Sequence, residues 1–202
     1  MLTLFFHPLS TFSQRVRIAL IEKQIPARLV EVDLFSRAQH RPEYLSRNPY
    51  GRVPTLEEDG LVLYESSAIL EYLEATRPSP PLLPVDVRLR ARASMLIKLC
   101  DIELAEPGRA ILLPKRFLPQ ERWRADRMAE ARDRIQKHFK ILEGQLEDGE
   151  YMVGDRFSLV EVCYAPFLQF ISMLEVQPGS KTAAWAARIL ERPSVRETKP
   201  VR

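Results

Sequence analysis

The sequence has 202 residues, 46% of them hydrophobic, and 30 basic against 27 acidic residues leave a net charge of +3. That length supports one large core or two small ones, while so small a charge excess gives no argument for nucleic acid, and no direct nucleic-acid partner is expected. No apolar run reaches the roughly 18 residues that cross a bilayer, and MLTLFFHPLS lacks the basic and apolar regions of a secretory signal, so no membrane partner is expected.

The first 76 residues alternate strand and helix. LTLFF (2–6) reads as a buried strand. Residues 13–24 read as a helix with Val16, Ala19, Leu20 and Lys23 on one side. ARLVEVDL (27–34) alternates, which predicts a second strand, and residues 40–47 predict a short helix before an Asn-Pro turn. VPTLEED and LVLY flank Gly60 as a hairpin, and ESSAILEYLEAT (65–76) follows as a helix. The order β-α-β-α-β-β-α implies a right-handed parallel crossover at its start.

RPSPPLLPVD then places four prolines between Pro78 and Pro84. Such a run sits in neither a helix nor a central strand, so 78–88 is expected to be a stiff linker between a domain at 1–77 and another at 89–202. The second domain reads as all helical, with helices at 87–106, 118–147, 158–173 and 181–191. The first of these is expected to break at Pro107-Gly108. Met128, Ala131, Ile135, Phe139, Leu142 and Leu146 make one apolar stripe along the second. The arginines around it, interrupted by acids, suit the solvated face of that helix.

Cys100 and Cys163 fall on separate helices and read as buried free thiols, which points to a reducing compartment and a cytoplasmic location. His7, His40 and His138 are scattered without metal-ligand spacing, so no metal is expected. No glycine-rich phosphate loop occurs.

Four short stretches carry chemistry. In HPLSTFSQRVRIAL (7–20), the hydroxyls of Ser10, Thr11 and Ser13 stand at the mouth of a helix, where one of them can cap it or hold an anion. In NPYGRVPTLEEDG (48–60), Pro54 belongs at a strand start. A cis Val53-Pro54 bond would turn the Val53 backbone outward for a peptide ligand to pair with, while a trans proline would be an ordinary strand edge. In LYESSAILEYLE (63–74), Glu65 and Ser66 fall at a helix N-terminus. They can serve the helix alone, or Ser66 and the free N–H groups can bind a carboxylate while Glu65 meets an ammonium. That combination suits an α-amino acid head. GDRFSLVEVCYAP (154–166) holds a capping box, Ser158 with Glu161, and a Phe157–Val162 staple, all structural.

Taken in order, these parts resemble the cytosolic glutathione transferase superfamily over nearly the whole chain. The resemblance implies a thioredoxin-like N-terminal domain followed by a helical C-terminal domain, with glutathione as a substrate and no metal. Residue by residue, it implies that Val53, before a cis Pro54, pairs with the cysteinyl part of glutathione. Glu65 and Ser66 would hold the γ-glutamyl head. Arg52 stands where some classes keep a basic residue near the glycine carboxylate, with His40 and Arg41 as alternatives. Several classes place the catalytic residue five positions before the arginine of an RVRIAL-like helix. Arg15 is that arginine here, so the residue is Ser10, with Thr11 and Ser13 as spare donors.

STFSQR is similar to the S-x-F-x-x-R pattern of the plant tau class, which brings Phe12 into the glutathione-binding set. It also resembles the zeta class, but Thr11 and Phe12 replace the serine and cysteine of the zeta triplet, and Gln14 replaces a tryptophan. The implied activity is transfer of the glutathione thiolate to a small hydrophobic electrophile, with Ser10 stabilising the thiolate. A homodimer is implied as well, built on residues 65–77 and 88–100, with Arg88, Arg90 and Arg92 opposite Glu71 and Glu74. The alternative is a regulator similar to stringent starvation protein A, which binds RNA polymerase without catalysis. FSLVEVCYAPFL, ESSAILEYLE and RPSPPLLPV resemble that protein too, although Ser79 stands where it has a histidine.

Overall fold

The computed structural model describes residues 1–146 and 150–200. The chain forms two compact units, Met1–Leu82 with the C-terminal segment from Pro193 onward, and Leu83–Arg192.

In the first unit the elements run β1 (Thr3–Phe6), α1 (Thr11–Glu22), β2 (Arg28–Glu31), α2 (Pro42–Leu45), β3 (Thr55–Glu58), β4 (Leu61–Tyr64) and α3 (Ser66–Thr76). A 3-10 turn at Ala38–His40 precedes α2. The sheet order is β2-β1-β3-β4. β1 pairs parallel with β2 and antiparallel with β3, which pairs antiparallel with β4. This is the thioredoxin-like arrangement that the resemblance implied. Leu2 just before β1, and Leu4 and Phe6 within it, pack with Val16 and Leu20 of α1 and Ile69 and Leu73 of α3 in one buried core. The period of two on the strand and of three to four on the helices sends those residues to a common side.

Lys23 lies on the apolar side of α1 yet is a cation, and the fold accommodates it with a partner. Its ammonium donates to Glu74 Oε2 at 2.5 Å and to the Pro80 carbonyl at 2.8 Å. Glu74 also accepts from the Leu82 N–H at 3.0 Å. One buried ion pair therefore ties α1, α3 and the proline-rich segment together.

The C-terminal boundary differs from the one expected. A last helix, α10 (Pro193–Thr198), belongs to the first unit rather than to the helical domain at 89–202. The reason is polar as much as apolar. Gln14 Nε2 donates to Thr198 Oγ1 and Arg17 Nη1 to the Thr198 carbonyl, each at 3.3 Å. Ser194 pairs with Glu22.

The second unit is helical: α4 (Val87–Leu99), α5 (Glu106–Phe117), α6 (Ala125–Gln145), α7 (Leu159–Leu168), α8 (Ile171–Leu174) and α9 (Ser180–Leu190). Helix does not break at Pro107-Gly108 as expected. A wide turn over Cys100–Ala105, closed by the Glu106 N–H on the Asp101 carbonyl, joins α4 to α5 without a gap. Proline has no N–H and its ring crowds the carbonyl four residues back. A locally wider winding removes that conflict, and Pro107 sits in the first turn of α5. The expected helix at 118–147 starts later, at Ala125, because Pro119 and a 3-10 turn at Gln120–Arg122 precede it; residue 147 lies outside the described residues.

The capping box forms. The Val160 N–H donates to Ser158 Oγ at 3.1 Å, and the Ser158 N–H to Glu161 Oε2 at 2.9 Å. Glu161 also accepts from the Met152 N–H and from Trp185 Nε1, so one buried carboxylate closes the start of α7. Burial raises its pKa. Both cysteines are buried and unbridged.

Candidate functional site

The strand register brings the sequence-selected residues to one end of the sheet. Phe5 of β1 faces Thr55 of β3, and Thr55 faces Tyr64 of β4. The turn leaving β1, the segment entering β3 and the turn leaving β4 therefore lie side by side. Those three carry Ser10, Val53-Pro54, and Glu65-Ser66.

Ser10 is the N-cap of α1. Its φ of −82° and ψ of 116° are extended, and its Oγ accepts from the Ser13 N–H at 3.1 Å. A hydroxyl has one hydrogen to donate and two lone pairs, so capping spends a lone pair and leaves the hydrogen. Ser10 is half-buried, as are Thr11 and Phe12. Ser13 is inside the helix and fully buried, where its Oγ accepts from the His7 N–H at 3.4 Å.

The Val53-Pro54 bond is cis. The amide before it is held by two polar side chains whose role the sequence did not reveal, Tyr44 and Asn48. Tyr44 Oη donates to the Arg52 carbonyl at 2.6 Å, and Asn48 Nδ2 donates to the same oxygen at 2.8 Å. Tyr44 Oη and Thr55 Oγ1 lie 2.9 Å apart. Burial raises the Tyr44 pKa, which keeps the phenol protonated and donating. A carbonyl held by two donors cannot turn, so the backbone entering Val53 has one orientation. Asn48 is the asparagine of the Asn-Pro pair that announced the turn, and Tyr44 lies one helical turn before it; their burial shows only in the structure.

Gly51 has φ +59°, and a Cβ there would come within 2.7 Å of His40 Nδ1. The missing side chain lets the 38–40 turn close over the 48–51 turn, which puts the exposed His40 beside the segment leading to Arg52. Arg41 and Arg52 are also exposed.

Glu65 precedes α3 with φ 71° and ψ 115° and makes no side-chain cap. A non-glycine residue in that region costs about 1–3 kcal/mol, and such strain concentrates where a ligand is gripped. Its side chain is exposed, while Ser66 beside it is buried. Ser66 Oγ accepts from Arg15 Nη1 at 3.4 Å, so it too keeps a hydrogen to give. Arg15 is fully buried, with its guanidinium over the Phe12 ring at 4.9 Å. The arginine that marked the helix in the sequence thus puts a cation beneath the start of α3.

A family model described as the glutathione S-transferase N-terminal domain matches residues 4–81, and one for the C-terminal domain of the same family matches 109–193. The chain belongs to the glutathione S-transferase family. It is 38% identical to maleylacetoacetate isomerase of Rattus norvegicus over 161 residues, covering 78% of this chain and 72% of the relative. It is 29% identical to glutathione S-transferase F10 of Arabidopsis thaliana over 175 residues, covering 85% and 81%. Among solved structures, poplar glutathione transferase F1 superposes with a TM-score of 0.89 at 24% identity, over 98% of this chain and 95% of that one. A bacterial zeta-class maleyl pyruvate isomerase superposes at 0.83 with 29% identity, over 98% and 96%.

This glutathione S-transferase family member is therefore an enzyme of that class, and these relatives do not favour the RNA polymerase regulator. The plant relatives named here carry F-class names, where the S-x-F-x-x-R stretch had suggested tau. Among the described residues, no group of three or more His, Cys, Asp or Glu is placed to hold a metal ion, and no helix is long and apolar enough to cross a membrane.

Proposed function

We propose that this transferase binds glutathione across the three segments at the end of the sheet and uses Ser10 to stabilise its thiolate. The observation that carries the proposal is the Ser10 hydroxyl, which caps α1 with a lone pair and keeps its hydrogen for a ligand. In this reading Val53 pairs through its backbone with the cysteinyl residue. Ser66 and the first N–H groups of α3 take the γ-glutamyl carboxylate, with the Arg15 cation behind them. Glu65 takes the ammonium. Arg52, with His40 as the alternative, faces the glycine carboxylate, and Phe12 packs beside the tripeptide.

A free thiol with pKa about 8.5 is only about 3% thiolate at pH 7. Lowering that value by about two units stabilises the anion by about 2.7 kcal/mol. A hydroxyl donor and the positive end of α1 both act in that direction. The thiol proton goes to solvent. The sulfur lone pair then forms a C–S bond to a small hydrophobic electrophile, and the leaving group departs with its bonding pair. The similarity to two isomerases supports a second reading, in which the thiolate adds reversibly to a substrate double bond. Both readings need the same thiolate.

Glutathione titration by calorimetry tests the shared step. Sub-millimolar binding is expected, and no heat at millimolar ligand would refute it. Ser66→Ala should weaken that binding by about 1–3 kcal/mol, the scale of a hydrogen bond to a charged group. A variant that loses stability yet keeps full affinity would show Ser66 to be a helix residue only.

The assembly proposed is a two-fold dimer through residues 65–77 and 88–100. On α3, Ala68, Glu71 and Ala75 are exposed, and on α4, Val87, Arg88, Arg90, Ser94 and Met95 are exposed. Glu74 drops out of the expected charged rim because it is buried on Lys23. Arg92 drops out too, since it donates to the Gln145 carbonyl. The rim is then Arg88 and Arg90 opposite Glu71. Light scattering should give twice the 23.4 kDa chain mass at micromolar concentration; the single mass would rule the dimer out.

A further inference from the structure

His7 stands directly after β1 and starts the turn that delivers Ser10. The turn is closed twice. The Ser10 N–H donates to the His7 carbonyl at 3.0 Å, with Pro8 at the second position, where its fixed φ suits the turn. The Leu9 N–H donates to His7 Nδ1 at 3.1 Å. The His7 ring is buried, edge-on to Phe35 at 5.7 Å. Its backbone N–H reaches Ser13 Oγ at 3.4 Å. One residue therefore touches the turn through its carbonyl and its ring nitrogen, and the first turn of α1 through its N–H.

We propose that His7 is a positioning residue for Ser10, acting through the acceptor lone pair of Nδ1; this rests on the assignment of Ser10 to the thiolate. An imidazole offers an acceptor only at its unprotonated nitrogen. The bond from Leu9 therefore fixes the neutral tautomer with its hydrogen on Nε2. It also fixes the Pro8–Leu9 peptide, one before the peptide that enters Ser10. Without it, the Pro8–Leu9 peptide can rotate, the turn is held only by the Ser10 N–H on the His7 carbonyl, and the hydroxyl moves relative to the sulfur while the helix cap can still form. Displacements near 1 Å at a reacting group cost up to about a hundred-fold in rate. Main-chain contacts elsewhere in the site hold the rest of the tripeptide, so the effect falls on turnover rather than on binding.

The side-chain chemistry supplies a sharp test. Asparagine places Oδ1 where histidine has Nδ1, two bonds beyond Cβ. Glutamine places its amide one carbon further, near the position of Nε2. His7→Asn should therefore keep kcat within about three-fold of wild type. His7→Gln, similar in size and polarity, should lose about ten-fold in kcat with glutathione KM within about two-fold. The absorbance of bound thiolate should titrate about one pH unit higher in His7→Gln than in wild type or His7→Asn.

Since His7 acts through Ser10, His7→Gln should cost less than about two-fold when added to Ser10→Ala. If Ser10→Ala loses rate while His7→Gln does not, His7 has no positioning role and the Ser10 assignment stands. If both asparagine and glutamine lose rate equally in folded protein, the Nδ1 acceptor is not what matters. If His7→Gln costs ten-fold in the Ser10→Ala background too, it acts by another route. If Ser10→Ala conjugates at the wild-type rate, the Ser10 reading falls and this inference falls with it.

Discussion

Glu74→Gln is expected to destabilise the N-terminal unit by about 3–5 kcal/mol, the range for removing one partner of a buried ion pair. The Lys23 side chain is 0% exposed and Glu74 6%, so the ammonium left behind reaches no water. The acceptors left to it, the Pro80 carbonyl at 2.8 Å and the amide oxygen of the new glutamine, carry no full charge. Lys23→Met should cost a comparable amount, because the buried carboxylate loses the cation that offsets its desolvation. The double change Lys23→Met with Glu74→Leu should cost less than the sum of the singles, because apolar replacement removes both desolvation terms. It should not restore wild-type stability, since the Leu82 N–H and the Pro80 carbonyl then lose their partners, at about 1–3 kcal/mol each. Both tryptophans, Trp123 and Trp185, lie in the second unit. Hydrogen exchange at the amides of α1 and α3 is therefore the appropriate measurement, because two units need not unfold as one. A loss under about 1 kcal/mol for either single change would mean that the pair does not hold the unit together.

That pair also bears on the site. Arg15 meets Ser66, and Lys23 meets Glu74. The partners are eight residues apart on each helix, so α1 and α3 run parallel and are fastened twice, about 12 Å apart at 1.5 Å per residue. The helix starts that carry Ser10 and Ser66 are thus set against each other by contacts deeper in the same two helices. Weakening the lower fastening should loosen both helix starts together.

Much of this was legible in the chain. The strand order followed from alternation and turn residues, because a period of two or of three to four is a direct imprint of which side faces the core. Lys23 was visible on the apolar side of its helix; its partner, 51 residues away, was not, and Glu74 looked like a surface acid. The capping box was legible because both of its residues are local. The turn at Cys100–Ala105 was not, since Pro107 announces a conflict without saying whether the helix ends or widens. α10 escaped notice because its six residues acquire their partners from α1 and not from their own sequence. In the site, the residues that would face a ligand were selected by type and position. Those that hold them, His7, Tyr44 and Asn48, form bonds to main-chain atoms, which leave no pattern in side-chain identity.

Ser10→Ala should lose about ten- to a hundred-fold in kcat while keeping most glutathione affinity. A charge-assisted hydrogen bond is worth about 1.5–3 kcal/mol, and about 1.4 kcal/mol is a factor of ten in rate. The substitution also removes the cap that accepts from the Ser13 N–H, at about 0.5–2 kcal/mol of stability, so alanine alone does not separate the two roles. Ser10→Asp does. Aspartate is as good an N-cap as serine and favours the positive helix end. It donates no hydrogen and sets a negative charge beside the sulfur. If the hydroxyl serves the thiolate, Ser10→Asp should fold as well as wild type and conjugate more slowly than Ser10→Ala. The thiolate absorbance of bound glutathione should titrate about one to two units higher in alanine and higher still in aspartate. Ser13→Ala should change the rate less, since that hydroxyl is buried and turned to the His7 N–H. A Ser10→Asp enzyme that conjugates a halonitrobenzene at the wild-type rate would reduce Ser10 to a cap. Thr11, the next hydroxyl on the helix, would then be the donor to test.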